Sequence, residues 1–268
     1  MCLVVIAVDA HPRLALVLAA NRDEYHARPA APAAWGSGPF LDILAGRDLM
    51  AGGTWLAVRR DGRFALVTNV REGKPQDPAA RSRGELPMLA LAVERSADDA
   101  AAAIDGSRYN GFNLLAGSPA GFLCTSNRDD AVRRATGGVH GLSNALLDVR
   151  WPKVVRTQER LQAWLRTDGA SVEPLLEALG DRTQAADADL PATGVTPAWE
   201  RLLSSPFIVS ERYGTRCSSV LTVDRDGHAR FIERTFAPDG TQSHEVAFEF
   251  GLKAPAASPS PDARSPLR

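Results

Sequence analysis

Cysteine is scarce in this chain of 268 residues: three occur, at positions 2, 124 and 217. Their odd number and wide spacing exclude a disulfide framework and give no paired metal-ligand signature, so a reducing compartment is expected, cytoplasmic by default. Net charge is equally scarce, with 31 Lys and Arg against 32 Asp and Glu for a formal −1. That balance lacks the broad cationic field of a general nucleic-acid binder. Long hydrophobic runs are missing too. The first apolar stretch, Cys2 to Val8, has no basic segment before it and is broken by Asp9, His11 and Pro12, so neither a signal peptide nor a membrane span is expected. The five histidines (11, 26, 140, 228 and 244) form no ligation motif. With no Walker loop, dinucleotide fingerprint, zinc spacing or serine elbow, no cofactor or metal is expected.

What remains is an ordinary globular composition, 44% hydrophobic and 24% charged, large enough for one sizeable core. A single domain over residues 1–253 is expected, followed by a Pro-, Ser- and Ala-rich tail at 254–268 that should be disordered. Cys2–Val8 and Leu14–Ala20 flank the turn Asp9-Ala10-His11-Pro12-Arg13 and predict a buried hairpin. Thr54–Arg60 and Arg63–Val70 predict a second hairpin around Asp61-Gly62. Ser82-Arg83-Gly84-Glu85 has capping-box spacing, with Leu86, Leu89, Ala90 and Val93 following at helical intervals, and Ala97–Ile104 reads as a further helix. Short strands are expected at Phe112–Gly117, Phe122–Ser126 and Val139–Leu142, then helices from Trp151-Pro152 and over Val172–Leu179. Thr183–Thr193 reads as a surface loop, and Arg216–Val223, Ala229–Thr235 and His244–Phe250 as the last strands. Strands, helices, strands, helices, strands: this order predicts an α+β fold of antiparallel sheets with helices on the outer faces.

Cys2 directly follows Met1 and is small enough to permit methionine removal. That would leave one residue with a thiol and a free α-amine, whose ordinary pKa values are about 8.5 and about 8. Such a residue is a nucleophile carrying its own base and needs no histidine. Taken alone, a small residue at a strand start is more often a packing residue. In an antiparallel hairpin, however, the end of the second strand returns beside the start of the first, bringing Asn21-Arg22-Asp23-Glu24 near the thiol. An arginine there would stabilise thiolate and a carboxylate would orient the amine; an exposed turn with a solvated ion pair is the plainer alternative. Asn69 and Asn144 interrupt apolar stretches where amide donors could hold an oxyanion, although Asn is commonly a turn residue. Arg216 could bring a second positive charge or be a solvated strand-edge residue. Cys124 and Cys217 are assigned to packing. Trp55, Tyr109, Phe112 and Tyr213 could line a pocket or belong to the core, and Gly52-Gly53 reads as a turn.

Together, Met1-Cys2, Asn21-Arg22-Asp23-Glu24, Gly46-Arg47-Asp48, Gly52-Gly53-Thr54-Trp55-Leu56, Thr68-Asn69-Val70-Arg71, Ser82-Arg83-Gly84, Tyr109-Asn110-Gly111-Phe112-Asn113-Leu114, Leu142-Ser143-Asn144 and Tyr213-Gly214-Thr215-Arg216-Cys217-Ser218 resemble the NRDE family, also called the transport-and-Golgi-organisation family. The resemblance runs from residue 1 to about residue 250. It implies the four-layer αββα sandwich of N-terminal-nucleophile hydrolases and, by the nearest chemistry, an amidohydrolase that cleaves non-peptide amides of acylated amines. Carried over by motif, Cys2 would be the nucleophile, Arg22 and Asp23 its flanking charges, the Asn69 backbone N–H and the Asn144 side chain the oxyanion site, and Arg216 the second arginine. Those hydrolases separate the arginine and aspartate by two residues. Here they are adjacent and would point to opposite faces of a regular strand, so either the strand ends or bulges there or Glu24 takes the carboxylate role. Eukaryotic members are associated with secretory organisation, mitochondrial lipid metabolism and haem handling, which implies a competing role as a non-catalytic haem or lipid carrier using the same cavity.

Overall fold

The computed structural model describes residues 2–92 and 96–253. The tail at 254–268, and Val93 at the end of the first helical pattern, lie outside the described residues. In chain order the elements are β1 (Cys2–Val8), β2 (Leu14–Tyr25), β3 (Ala30–Trp35), β4 (Ile43–Asp48), β5 (Leu56–Arg59), β6 (Phe64–Asn69), α1 (Leu86–Ala90) and α2 (Ala97–Ala102). There follow β7 (Phe112–Ser118), β8 (Gly121–Ser126), β9 (Asp129–Ala135), β10 (Gly138–Leu142), α3 (Pro152–Trp164), α4 (Glu173–Leu179), α5 (Pro197–Leu202), β11 (Tyr213–Asp224), β12 (His228–Phe236) and β13 (Gln242–Gly251).

The strands form two antiparallel sheets, one ordered β10-β1-β2-β11-β12-β13 and the other β3-β4-β5-β6-β7-β8-β9. Alternation along each strand divides its residues between two cores. Val4, Ile6, Val8, Leu16 and Leu18 of the first sheet pack against Leu44, Leu56, Val58, Phe64 and Leu66 of the second. Val5, Ala7, Val17 and Ala19 face outward against Leu161, Trp164, Leu175 and Leu179 of α3 and α4. Ala57, Ala65 and Leu114 likewise face Leu86, Ala90 and Ala100 around α1 and α2. Helix, sheet, sheet and helix thus stack as the αββα order expected, in an α+β fold.

Several local expectations change. The strand expected to stop at Ala20 continues to Tyr25, so the polar run Asn21 to Glu24 is strand and not turn. Asn21, Arg22 and Asp23 are all buried, which polarity alone could not signal. Ser82 caps a short 3-10 turn by accepting from the Gly84 N–H, not from Glu85; the reciprocal capping box belongs to Ser96 and Asp99 at the start of α2. Strands β3, β4 and β9 and helix α5 were not expected. β3 is Ala- and Pro-rich and tolerates Pro32 because it is an edge strand. β9, also an edge, is largely solvent-facing and lacks apolar alternation.

Candidate active site

Cys2 is half-buried at the start of β1, opposite Arg22 of β2. Arg22 is in turn opposite Cys217 of β11. Directly opposed residues project to the same face, so all three share the inter-sheet side with Val4 and Leu18. Alternation sends Asn21 and Asp23 to the helical side. There the Asn21 amide donates to the carbonyls of Leu179 and Pro206 at 2.8 and 2.9 Å, and Asp23 Oδ1 accepts from the Thr215 hydroxyl at 2.7 Å. Arg22 and Asp23 therefore stand on opposite faces, and β2 neither ends nor bulges between them. The irregularity lies in the neighbour: Thr215 opposes Asp23 and Cys217 opposes Arg22, leaving Arg216 as the extra residue of a bulge.

A cavity of about 320 Å³ opens at this corner, walled in part by Cys2, Arg22, Glu24, Trp55, Asn69 and Arg83. The Arg22 guanidinium lies 4.5 Å over the Trp55 ring. Its Nη1 is buried with no hydrogen-bond partner among the described residues. An unsatisfied buried donor costs about 1–3 kcal/mol; a desolvated cation–π contact, worth about 2 kcal/mol, offsets much of that.

The facing wall is tied to Cys2 by a hydrogen-bonded chain. Ser143 Oγ donates to the Cys2 carbonyl at 2.9 Å, the Thr68 hydroxyl to the Ser143 carbonyl at 2.9 Å, and the Arg71 N–H to the Asn144 carbonyl at 2.8 Å. Asn144 is fully buried, and its Nδ2 donates to the Asn69 carbonyl at 2.9 Å and to Asn69 Oδ1 at 3.1 Å. The Asn144 amide, expected as an oxyanion donor, is engaged by Asn69, and Asn144 is not among the residues that wall the cavity. The Asn69 backbone is oriented differently. The Val67 N–H meets the Trp55 carbonyl and the Val70 N–H meets the Gly111 carbonyl. N–H groups alternate in direction along a strand, so that of Asn69 points to the Trp55 side, where β5 has not begun and the cavity lies.

Arg216 does not reach the cavity. Its Nη1 donates to the carbonyls of Tyr25, His26 and Arg28, at 3.0, 3.3 and 3.0 Å, and braces the turn that carries Arg28. Of the aromatic candidates, Trp55 walls the cavity; Tyr109 and Phe112 pack under α1 and α2, and Tyr213 packs with Leu203 and Ile208. None of the five histidines walls it among the described residues. Cys124 and Cys217 are free and buried.

Electrostatics add a residue that sequence inspection overlooked. Lys153, in the first turn of α3, is 1% exposed, and its Nζ has no hydrogen-bond partner among the described residues. Burial pushes its pKa down to about 8 against the opposing pull of Asp23. Its signal was helical period, since 153, 157, 161 and 164 share one buried face. Burial raises the Asp23 carboxyl above its usual range, and Lys153 and the Thr215 hydroxyl oppose the rise. Burial also pushes the Cys2 thiol up, with Asp23 adding to it, while Arg22 and a hydrogen bond from the Asp23 backbone N–H pull it down.

Residues 1–238 match the family described as Transport and Golgi organisation 2. The chain belongs to that family. Among curated family members, the human Transport and Golgi organization protein 2 homolog is 33% identical over 280 residues, covering 95% of this chain and all of its own length. The bovine homolog is 34% identical over 287 residues, with the same coverage of this chain and of its own length. In architecture, the family fold seen here resembles a solved Caenorhabditis elegans ortholog of N-acylethanolamine-hydrolyzing acid amidase. The TM-score is 0.52 at 10% identity, over 82% of this chain and 92% of that one. At that identity the likeness concerns the fold alone.

Proposed function

We propose that this protein is an N-terminal-cysteine amidohydrolase acting on a non-peptide acyl amine. The observation that carries this reading is the corner itself: a terminal-strand Cys2 opens into a small cavity, opposite Arg22 and across from the inward-pointing Asn69 N–H. After Met1 removal the Cys2 α-amine accepts the thiol proton as sulfur attacks the amide carbonyl, forming the C–S bond. The Asn69 N–H stabilises the oxyanion, with Asn144 positioning Asn69. Collapse breaks the C–N bond and the α-ammonium proton leaves with the amine. Water, giving its proton to the α-amine, then attacks the thioester and releases the acid and the thiol. Arg22 favours thiolate, and Asp23 adjoins the position of the liberated amine and orients it. Arg216 acts through the turn at 25–28.

A haem or lipid carrier using the same cavity is less well supported. The wall is rich in charged side chains, including Arg22, Glu24 and Arg83, whereas a haem face or acyl chain needs chiefly apolar surface. The test is intact-mass analysis of demethionylated protein incubated with a series of N-acyl amides. An acyl adduct on Cys2, missing in Cys2→Ala, supports the reading; no adduct and no released amine with any acyl chain overturns it.

A further inference from the structure

The cavity wall holds four guanidinium groups, from Arg22, Arg28, Arg81 and Arg83. Two are neutralised locally: Arg28 pairs with Asp48 at 2.6 Å and Arg81 with Glu85 at 2.5 Å. Among the described residues, Arg83 has only neutral hydrogen-bond acceptors, the Gly111 carbonyl at 3.0 Å and Gln76 Oε1 at 2.9 Å. These bonds fix its direction without cancelling its charge. Arg22 makes no ion pair among the described residues, is 6% exposed, and keeps the buried, unpartnered Nη1 described above. Of the carboxylates in the cavity wall, Asp48 holds Arg28, and Asp23 accepts from the Thr215 hydroxyl on the helical side, where Lys153 acts on it. Glu24 acts on Arg83 only through space and directs Oε1 to the Tyr25 N–H at 2.8 Å. Burial opposes the Arg83 charge, so an incoming anion would relieve a cost already present in the unliganded wall.

We propose that Arg83 and Arg22 form an anion subsite, so that the ligand of this cavity carries a carboxylate or a phosphate group. A guanidinium held by neutral acceptors is preorganised for charge-assisted hydrogen bonds to either group. The inference deepens the amidase reading by naming the substrate as an anionic acyl amine, and its binding component can be tested without turnover.

The experiment uses Cys2→Ala protein and isothermal titration with three ligands of one acyl chain: N-octanoylglycine, N-octanoyl-O-phosphoethanolamine and neutral N-octanoylethanolamine. At least one anionic ligand should bind about tenfold or more tightly than the neutral one, equivalent to about 1.4 kcal/mol. The preference should weaken with added salt, and the better-bound anion identifies the group recognised. Arg83→Gln should abolish the preference while leaving neutral binding in place, and Arg83→Lys should recover part of it, which separates lost charge from a collapsed wall. Equal affinity for the neutral ligand, no binding of either anion, or a preference intact in Arg83→Gln would overturn the subsite. Because Cys2 is absent throughout, failure here is distinct from failure of the acylation test.

Discussion

Asn144 holds Asn69, its amide nitrogen bonded to both the backbone carbonyl and the side-chain oxygen of that residue. The arrangement fixes the end of β6 at the cavity mouth and links it through Ser143 to the Cys2 carbonyl. Asn144→Leu removes the donor and leaves the Asn69 carbonyl unsatisfied, an expected loss of about 1–3 kcal/mol by urea unfolding. Asn144→Asp sets a carboxylate against two acceptor oxygens and should cost more. Equal stability of both variants with wild type would refute the positioning role.

The thiol of Cys2 should titrate above the ordinary cysteine range, because burial and Asp23 outweigh the help from the amino-terminal charge, Arg22 and the Asp23 N–H. Its labelling by iodoacetamide should accordingly rise late with pH. Asp23→Asn should move the midpoint down and Arg22→Gln should move it up. Mass spectrometry of the Cys2 peptide reads the shift directly, since Cys124 and Cys217 are buried; opposite movements would contradict the electrostatic assignment.

Lys153 should leave a pH signature on stability. Its folded pKa is depressed to about 8 from an ordinary 10.5, so between those values the unfolded chain binds the extra proton and stability rises with pH. Below pH 8 the penalty is fully present, at roughly 3 kcal/mol. Measured against Lys153→Met by denaturant titration, wild-type stability should therefore gain across pH 8 to 10.5, where other groups largely cancel. A flat difference would show that the lysine is not held in a desolvated site.

The adjacent glycines 52 and 53, between the wall residues Ala51 and Thr54, should respond unequally to alanine. A Cβ on Gly53 would lie 2.4 Å from the Gly84 carbonyl carbon, where the two backbones touch. The Thr54 N–H to Gly84 carbonyl bond, 2.8 Å, would have to give way, moving the Arg83 turn. Gly53→Ala should cost about 1–3 kcal/mol as overpacking and also weaken anion binding. Gly52 has φ +74° but open space around it, so Gly52→Ala should cost only the left-handed backbone penalty, about 1–2 kcal/mol, with binding retained. Ligand titration beside thermal melting separates the two.

The chain alone determined much of this fold, because periodicity is a local property. An apolar run marked β1 and alternation marked β6 and β13, and the hairpin geometry of β1 and β2 placed Arg22 beside Cys2. The motif resemblance supplied the αββα layering and the list of candidate groups. Only the tertiary structure decided what those groups face. It buried the Asn21 to Asp23 run by pairing β2 with β11 and laying α4 over it, set Arg216 into a bulge, and gave the Asn144 amide to Asn69. It also brought Lys153 near Asp23, and Arg83 into the cavity wall without a carboxylate partner among the described residues. Those outcomes depend on contacts between residues up to about two hundred positions apart, which no local pattern encodes. Charge and hydrogen-bond compensation are settled by the neighbours a side chain acquires on folding, and not by its sequence context.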